Sequence, residues 1–193
     1  MGPVPIVPAA VIYDLLVGEP VWPGAEEGYA AAAAASADPV TSGRVGAGAG
    51  ATAGKYKAPV PTGQGSALAR WRDLSVGALA VVNPVGDVYD SSGRLLAGYG
   101  DREAWMQAEP RPTENTTLVA LATDAPLSKR EARMLAEAGQ AALARVVRPS
   151  HTPWDGDAVF VLAGGRGSPA PLAALTALMQ EAVVAAVARA AGG

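Results

Sequence analysis

The stretch Glu114-Asn115-Thr116-Thr117-Leu118-Val119-Ala120-Leu121-Ala122-Thr123-Asp124 sets a polar approach directly before an apolar run. The aliphatic, partly β-branched run predicts a buried strand. An Asn-Thr bond at the mouth of such a strand is a place where a chain can cut itself and expose a threonine with a free amine. A hydroxyl is a poor nucleophile until a base takes its proton, and a threonine's own α-amino group, pKa about 7.7–8.0, can be that base. That amine exists only once Asn115–Thr116 is broken. Thr116 is therefore read as a nucleophile made by processing, in a single domain 1–193 that would become segments 1–115 and 116–193.

Downstream of this strand, Ser128-Lys129-Arg130-Glu131 is a capping box and opens a helix that presents Leu135, Ala138, Ala142 and Val146 on one face, with Pro149 after its end. Ala158 to Ala163 is expected to be another buried strand, approached through Trp154-Asp155-Gly156-Asp157. A last helix is expected from about Pro171. The stretch Leu172 to Ala191 approaches the length of a membrane span, but Gln180, Glu181 and Arg189 interrupt it, so a buried amphipathic helix is expected.

Upstream, Val76 to Val82 predicts a buried strand stopped by Asn83-Pro84, and Val85 to Asp90 a second short one before the Ser92-Gly93 turn. The proline-punctuated runs Val4 to Pro8 and Ala10 to Leu15 read as strand material at an edge. Ala25 to Ala37 reads as an alanine-rich helix with Glu26 and Glu27 in its first turn. Tyr56 to Arg72, with Pro59, Pro61, Gly63 and Gly65, reads as loop, and Ala97 to Thr113 as an exposed connection.

Arg44 to Lys55 is rich in glycine and resembles a phosphate-cradling loop at first sight. The P-loop pattern needs glycine five residues before its Gly-Lys pair and Ser or Thr after it, where this chain has Ala49 and Tyr56. Close packing of small residues against another element is the expected role.

Half the 193 residues are hydrophobic, enough for a sizeable core, and only 17% are charged. Lysine and arginine number 15 against 18 acids, giving a net charge of -3 with no basic block, which argues against nucleic acid as a partner. There is no cysteine, so disulfides and thiolate metal sites are excluded. Met1-Gly2-Pro3-Val4-Pro5 lacks the charged region and long apolar stretch of a signal peptide. A cytoplasmic protein without membrane partner, cofactor or metal is expected. Apolar strands without clean alternation, together with amphipathic helices, predict a layered α/β (α+β) sandwich of mixed sheets covered by helices.

Val45-Gly46-Ala47-Gly48 with Gly54-Lys55, Val82-Asn83-Pro84-Val85-Gly86-Asp87-Val88, Asn115-Thr116-Thr117-Leu118 with Ala122-Thr123-Asp124-Ala125, and Asp155-Gly156-Asp157 with Phe160 resemble, in order and spacing, the L-aminopeptidase/D-esterase family, also called the β-aminopeptidases. The resemblance covers nearly the whole chain. It implies a four-layer αββα fold that cleaves itself into two subunits, forms homo-oligomers of processed pairs, and uses a new N-terminal Ser or Thr to release N-terminal residues from small peptides, amides or esters. It further implies that Thr116 is the nucleophile, that Asn83 supplies a side-chain donor to the oxyanion, and that Asp155 and Asp157 stand near the nucleophile's amine and hydroxyl. Several family members have Ser at the position of Asp155. Tyr13 would correspond to a tyrosine that assists the oxyanion in some members. Family members carry a further N-terminal region, on the order of a hundred residues, so this chain is expected to be a truncated frame, a fragment or a compact variant.

Other readings of these residues stand beside the resemblance. Thr116 and Thr117 alone fit ordinary strand threonines, and Asn115-Thr116-Thr117 fits a glycosylation acceptor of secreted chains. Asn83 fits a strand-ending residue before proline. Asp155 and Asp157 fit turn acids; a calcium loop would need further oxygen ligands at alternating positions, which are missing. His151, the only histidine, follows a helix-ending proline and is read as structural. The ornithine acetyltransferases resemble this fold and also cut before a threonine. Their segment usually reads Met-Ala-Thr-Met-Leu, against Glu114-Asn115-Thr116-Thr117-Leu118 here. An acyltransferase of that type and a non-catalytic remnant are thus the two alternatives to an aminopeptidase.

Overall fold

The computed structural model describes residues 2, 6–109 and 115–192. The first residues of the proline-punctuated N-terminal run, the end of the connection before the strand, and Glu114 lie outside the described residues.

In chain order the elements are α1 (Ala25–Ala33), a 3-10 turn (Gly46–Gly48), β1 (Thr52–Ala53), β2 (Val60–Pro61), β3 (Gln64–Trp71), β4 (Leu74–Asn83), β5 (Asp87–Tyr89), β6 (Leu95–Ala97), α2 (Arg102–Gln107), β7 (Thr116–Thr123), α3 (Lys129–Val146), β8 (Val147–Arg148), β9 (Ala158–Ala163) and α4 (Leu172–Ala191). The main sheet has the order β3-β4-β7-β9, with antiparallel pairs except for parallel β7 and β9. A parallel pair needs a crossover, and α3 supplies it. Smaller sheets β1-β2 and β6-β5-β8 flank it. The fold is thus mixed α/β, with helices laid on a mixed sheet.

Side chains alternate across a strand, so the register assigns each residue to a face. Val76, Ala78, Ala80 and Val82 of β4 lie opposite Thr123, Leu121, Val119 and Thr117 of β7. All eight are buried, and the aliphatic ones join Leu135, Leu143 and Val146 of α3 and Leu175, Met179, Val183 and Val187 of α4 in one core. Burying a Val or Leu side chain contributes about 1.5–3 kcal/mol, so this layer carries much of the folding free energy. The start of α3 is set by the capping box: Ser128 Oγ accepts from Glu131 N at 3.2 Å and Glu131 Oε2 accepts from Ser128 N at 2.8 Å. The opposite face of the sheet carries Leu79, Leu118, Ala120 and Phe160, half buried, with Leu68 and Leu162 at 54% and 59% exposure. By the same parity Asn83 and Thr116 belong to this second face, at one end of the sheet.

Several expectations change. Residues 6–14 form no strand; Ile6 is 90% exposed, and Pro8 takes a donor out of any ladder the segment could join. Residues 60–71, expected as loop, hold β2 and β3, because the small residues Gly65 and Ala67 let α4 lie close on the strand. The connection after Ala97 contains α2, started by the Asp101 side chain accepting from Ala104 N at 3.0 Å. β9 is only partly buried, as an edge strand of the sheet. The first helix stops at Ala33 and buries nothing. α4 packs on β3 and β4 beside α3, and even its exposed side carries Ala173 and Ala177 next to Glu181, so it is apolar on most sides where an amphipathic helix was expected. The glycine-rich segment does pack closely, and a Cβ at Gly50 would overlap the Asp14 carboxylate.

Candidate active site

Two adjacent strands meet the site from opposite directions. β4 ends at Asn83, β7 begins at Thr116, and the two residues are direct partners in the register. Partners of this kind have Cβ atoms roughly 4.5–5.5 Å apart on one face. Both are shielded from solvent, Thr116 at 8% and Asn83 at 0% exposure. Proline at position 84 cannot continue the ladder, so the strand stops where the site begins.

Asn83 is held by three elements. Its Oδ1 accepts from Thr52 N at 3.1 Å and from Lys55 Nζ at 2.8 Å, and its Nδ2 donates to the Tyr13 carbonyl at 3.2 Å. Lys55 Nζ also donates to the Asn83 carbonyl at 3.1 Å. An ammonium on the amide oxygen draws electron density from the amide nitrogen and strengthens its hydrogens as donors. Tyr13 thus meets Asn83 through its backbone carbonyl.

The loop before β9 approaches the start of β7 from the other side. Asn115 and Asp155 form an isolated parallel bridge, and Gly156 N donates to the Asn115 carbonyl at 2.8 Å. Thr116 Oγ1 donates to the same carbonyl at 2.6 Å. The hydroxyl therefore lies against the carbonyl of the bond proposed for cleavage. Asn115 Nδ2 donates to the Trp154 carbonyl at 3.2 Å, and the Trp154 ring packs on Trp105 of α2 with centroids 6.0 Å apart. At Gly156 a Cβ would stand 3.0 Å from Thr116 Oγ1, so only glycine leaves the hydroxyl its present room.

The two aspartates divide their work. Asp155 Oδ1 accepts from Val85 N at 3.2 Å and its Oδ2 from Thr152 N at 3.1 Å, tying the loop to the residue after Pro84. Asp157, with its side chain 2% exposed, accepts from Thr117 N at 2.7 Å through Oδ1 and from His151 N at 3.1 Å through Oδ2. His151 Nδ1 lies 3.0 Å from that Oδ2, while Nε2 lies 3.0 Å from the Gln140 carbonyl. Gln140 Nε2 donates in turn to the Asp157 carbonyl at 3.2 Å. The structure thus gathers Thr116, Asn83, Asp155 and Asp157 at one end of the sheet, and brings Tyr13 there by its backbone. Lys55, Gly156 and His151 were not assigned to the site from the sequence. Lys55 was legible only as half of a Gly-Lys motif, His151 was read as structural because it follows a helix-ending proline, and Gly156 contributes a backbone group.

Burial pushes the Asp157 carboxyl above its ordinary value, the bond donated by Thr117 opposes this, and the nearby Asp155 carboxylate adds to it. The native protein then holds this proton more tightly than the unfolded chain. Stability contributed by Asp157 is full below the ordinary carboxylate pKa, about 4, and falls as pH rises towards the raised native value. Urea unfolding of uncut Thr116→Ala chains with and without Asp157→Asn checks this. As pH rises from about 4, the chain retaining Asp157 should lose stability relative to the Asn variant. The opposite slope would contradict the assignment.

The model of Peptidase family S58 matches residues 2–192. An uncharacterized aminopeptidase of Mycobacterium tuberculosis is 39% identical over 200 residues, covering 92% of this chain and 56% of that protein. The solved structure of a Burkholderia sp. beta-aminopeptidase superposes with a TM-score of 0.64 at 26% identity, over 86% of this chain and 50% of the other. The structure of an L-aminopeptidase D-Ala-esterase/amidase from Ochrobactrum anthropi, described as a variant of the Ntn hydrolase fold, gives 0.57 at 20% identity, over 80% and 46%, a likeness of fold. The chain spans about half the length of these relatives.

Proposed function

The chain belongs to peptidase family S58, and from that premise we propose that it is a self-processing aminopeptidase or amidase whose nucleophile is Thr116. The observation that carries the reading is the position of the Thr116 hydroxyl, 2.6 Å from the Asn115 carbonyl oxygen and paired in register with Asn83. Cleavage before Thr116 frees its α-amine. The amine takes the hydroxyl proton, Oγ1 attacks the substrate carbonyl, and the Asn83 amide, polarised by Lys55, donates to the oxyanion. Collapse expels the substrate's amine or alcohol, which takes the proton back from the α-ammonium, and leaves an ester on Thr116, which water hydrolyses. Asp157 fixes the nucleophile strand through Thr117 N, and Asp155 fixes the loop against Val85. The aminopeptidase names of the relatives favour N-terminal residues of small peptides, amides or esters as substrates.

The test is release of p-nitroaniline from a panel of α- and β-aminoacyl p-nitroanilides by protein with a free Thr116. Turnover that disappears on acetylating the substrate's amine supports an aminopeptidase. Acetyl transfer from N-acetylornithine to glutamate without anilide hydrolysis would overturn the reading in favour of an acyltransferase.

A further inference from the structure

Self-cleavage and substrate hydrolysis are two reactions of one hydroxyl, and they place their oxyanions at different atoms. In self-cleavage the oxyanion develops on the Asn115 carbonyl oxygen. Thr116 N is still an amide at that stage and cannot act as a base. The groups that hold the Asn115 oxygen in the intact chain are therefore those placed to assist the cut. Among the described residues, besides the attacking hydroxyl itself, Gly156 N donates to that oxygen at 2.8 Å, as an extension of the parallel pairing between β7 and β9. Asn115 and Thr116 are 2% and 8% exposed, so the bond forms in a largely dry setting where a fixed donor is worth more than in water.

Resting on the self-processing reading above, we infer that Gly156 is a catalytic residue of the self-cleavage: its N–H receives the charge that develops on the Asn115 oxygen, and its bare Cα leaves the Thr116 hydroxyl room to attack. In the step, Thr116 Oγ1 forms a bond to the Asn115 carbonyl carbon and the Asn115–Thr116 C–N bond breaks. The hydroxyl proton ends on the departing Thr116 nitrogen. An ester between Asn115 and Thr116 Oγ1 results, and water then hydrolyses it to the Asn115 carboxylate and a Thr116 carrying free amine and hydroxyl. Gly156 N donates to the same oxygen before and during attack, so the donor needs no reorganisation. A side chain at 156 would crowd the attacking atom, because its Cβ would stand 3.0 Å from Thr116 Oγ1.

The donor can be removed without touching any side chain. The chain has no cysteine, so all 193 residues can be assembled by ligation at Ala142 followed by desulfurisation, with the amide between Asp155 and Gly156 replaced by an ester. Refolding starts the reaction, and the fraction cut is followed by mass spectrometry beside an all-amide chain assembled in the same way. The ester chain should cut about 10²–10³-fold more slowly, the loss expected for one oxyanion donor. Gly156→Ala, which keeps the N–H and adds the obstructing methyl, should also slow the cut while leaving the urea unfolding midpoint of the Thr116→Ala background close to its parent. A parental rate in either variant, with the all-amide chain cutting, overturns the assignment of Gly156 alone. An all-amide chain that never cuts overturns the self-processing reading and this assignment together.

Discussion

Thr116→Ala is expected to leave the chain in one piece and to abolish amide hydrolysis. On the proposed mechanism it removes the atom that makes the first attack in both reactions, and deleting a nucleophile of this kind costs on the order of 10⁶ in kcat. The fold should survive, since the substitution loses a hydroxyl whose bond goes to the adjacent carbonyl. A bond of that kind contributes about 1 kcal/mol. Thr116→Ser, which keeps the hydroxyl and drops the methyl, should still cut and still hydrolyse. Denaturing gels report the cut and p-nitroanilide release reports the hydrolysis. An Ala variant that cuts as its parent does would place the nucleophile elsewhere.

Asn83→Asp is expected to lower substrate turnover by about 10²–10³-fold, the loss of one oxyanion donor. Asn83→Ala is a poorer test, because the environment of this residue ties its side chain to stability as well. Asn83 is fully buried, and its Oδ1 satisfies both Thr52 N and Lys55 Nζ. Alanine would take this acceptor from Thr52 N and cost Lys55 Nζ one of its bonds, and an unsatisfied buried donor costs about 1–3 kcal/mol. Aspartate keeps an oxygen in front of Thr52 and Lys55 and removes the Nδ2 hydrogens, so it tests the proposed donor at the cost of the bond to the Tyr13 carbonyl. The expected readout is a fall in kcat with the cut chain still assembled. Turnover equal to that of the parent would remove Asn83 from the oxyanion role.

The legibility of the fold follows how local its signals are. The capping box at Ser128 and Glu131 is written within four residues, and the helix it starts was read with nearly its observed bounds. Apolar runs marked β4 and β7 because both pass through the core. β3 was missed because Pro59, Pro61 and Gly63 are turn signals, and what makes the following residues a strand is the close approach of α4, which no local pattern announces. Ile6 and Val7 look like strand residues but find no partner strand.

The site was legible where a side chain carries the chemistry and obscure where the backbone or a distant contact does. Thr116 and Asn83 stood out through the resemblance, but their direct pairing is a property of register. His151 was read as structural, and its bonding to Asp157 and Gln140 emerges only when α3 and the loop before β9 are brought together. Gly156 was visible only as the residue between two aspartates, since sequence does not display the direction of an N–H.

On the mechanism proposed above, the Asn115–Thr116 bond breaks by action of the chain itself. Mass spectrometry of the purified, refolded 193-residue chain decides whether it does. Two polypeptides, 1–115 and 116–193, should accumulate at a rate independent of protein concentration, with the second beginning at Thr116. Intact chain that persists unchanged under those conditions, indistinguishable from Thr116→Ala, would contradict it.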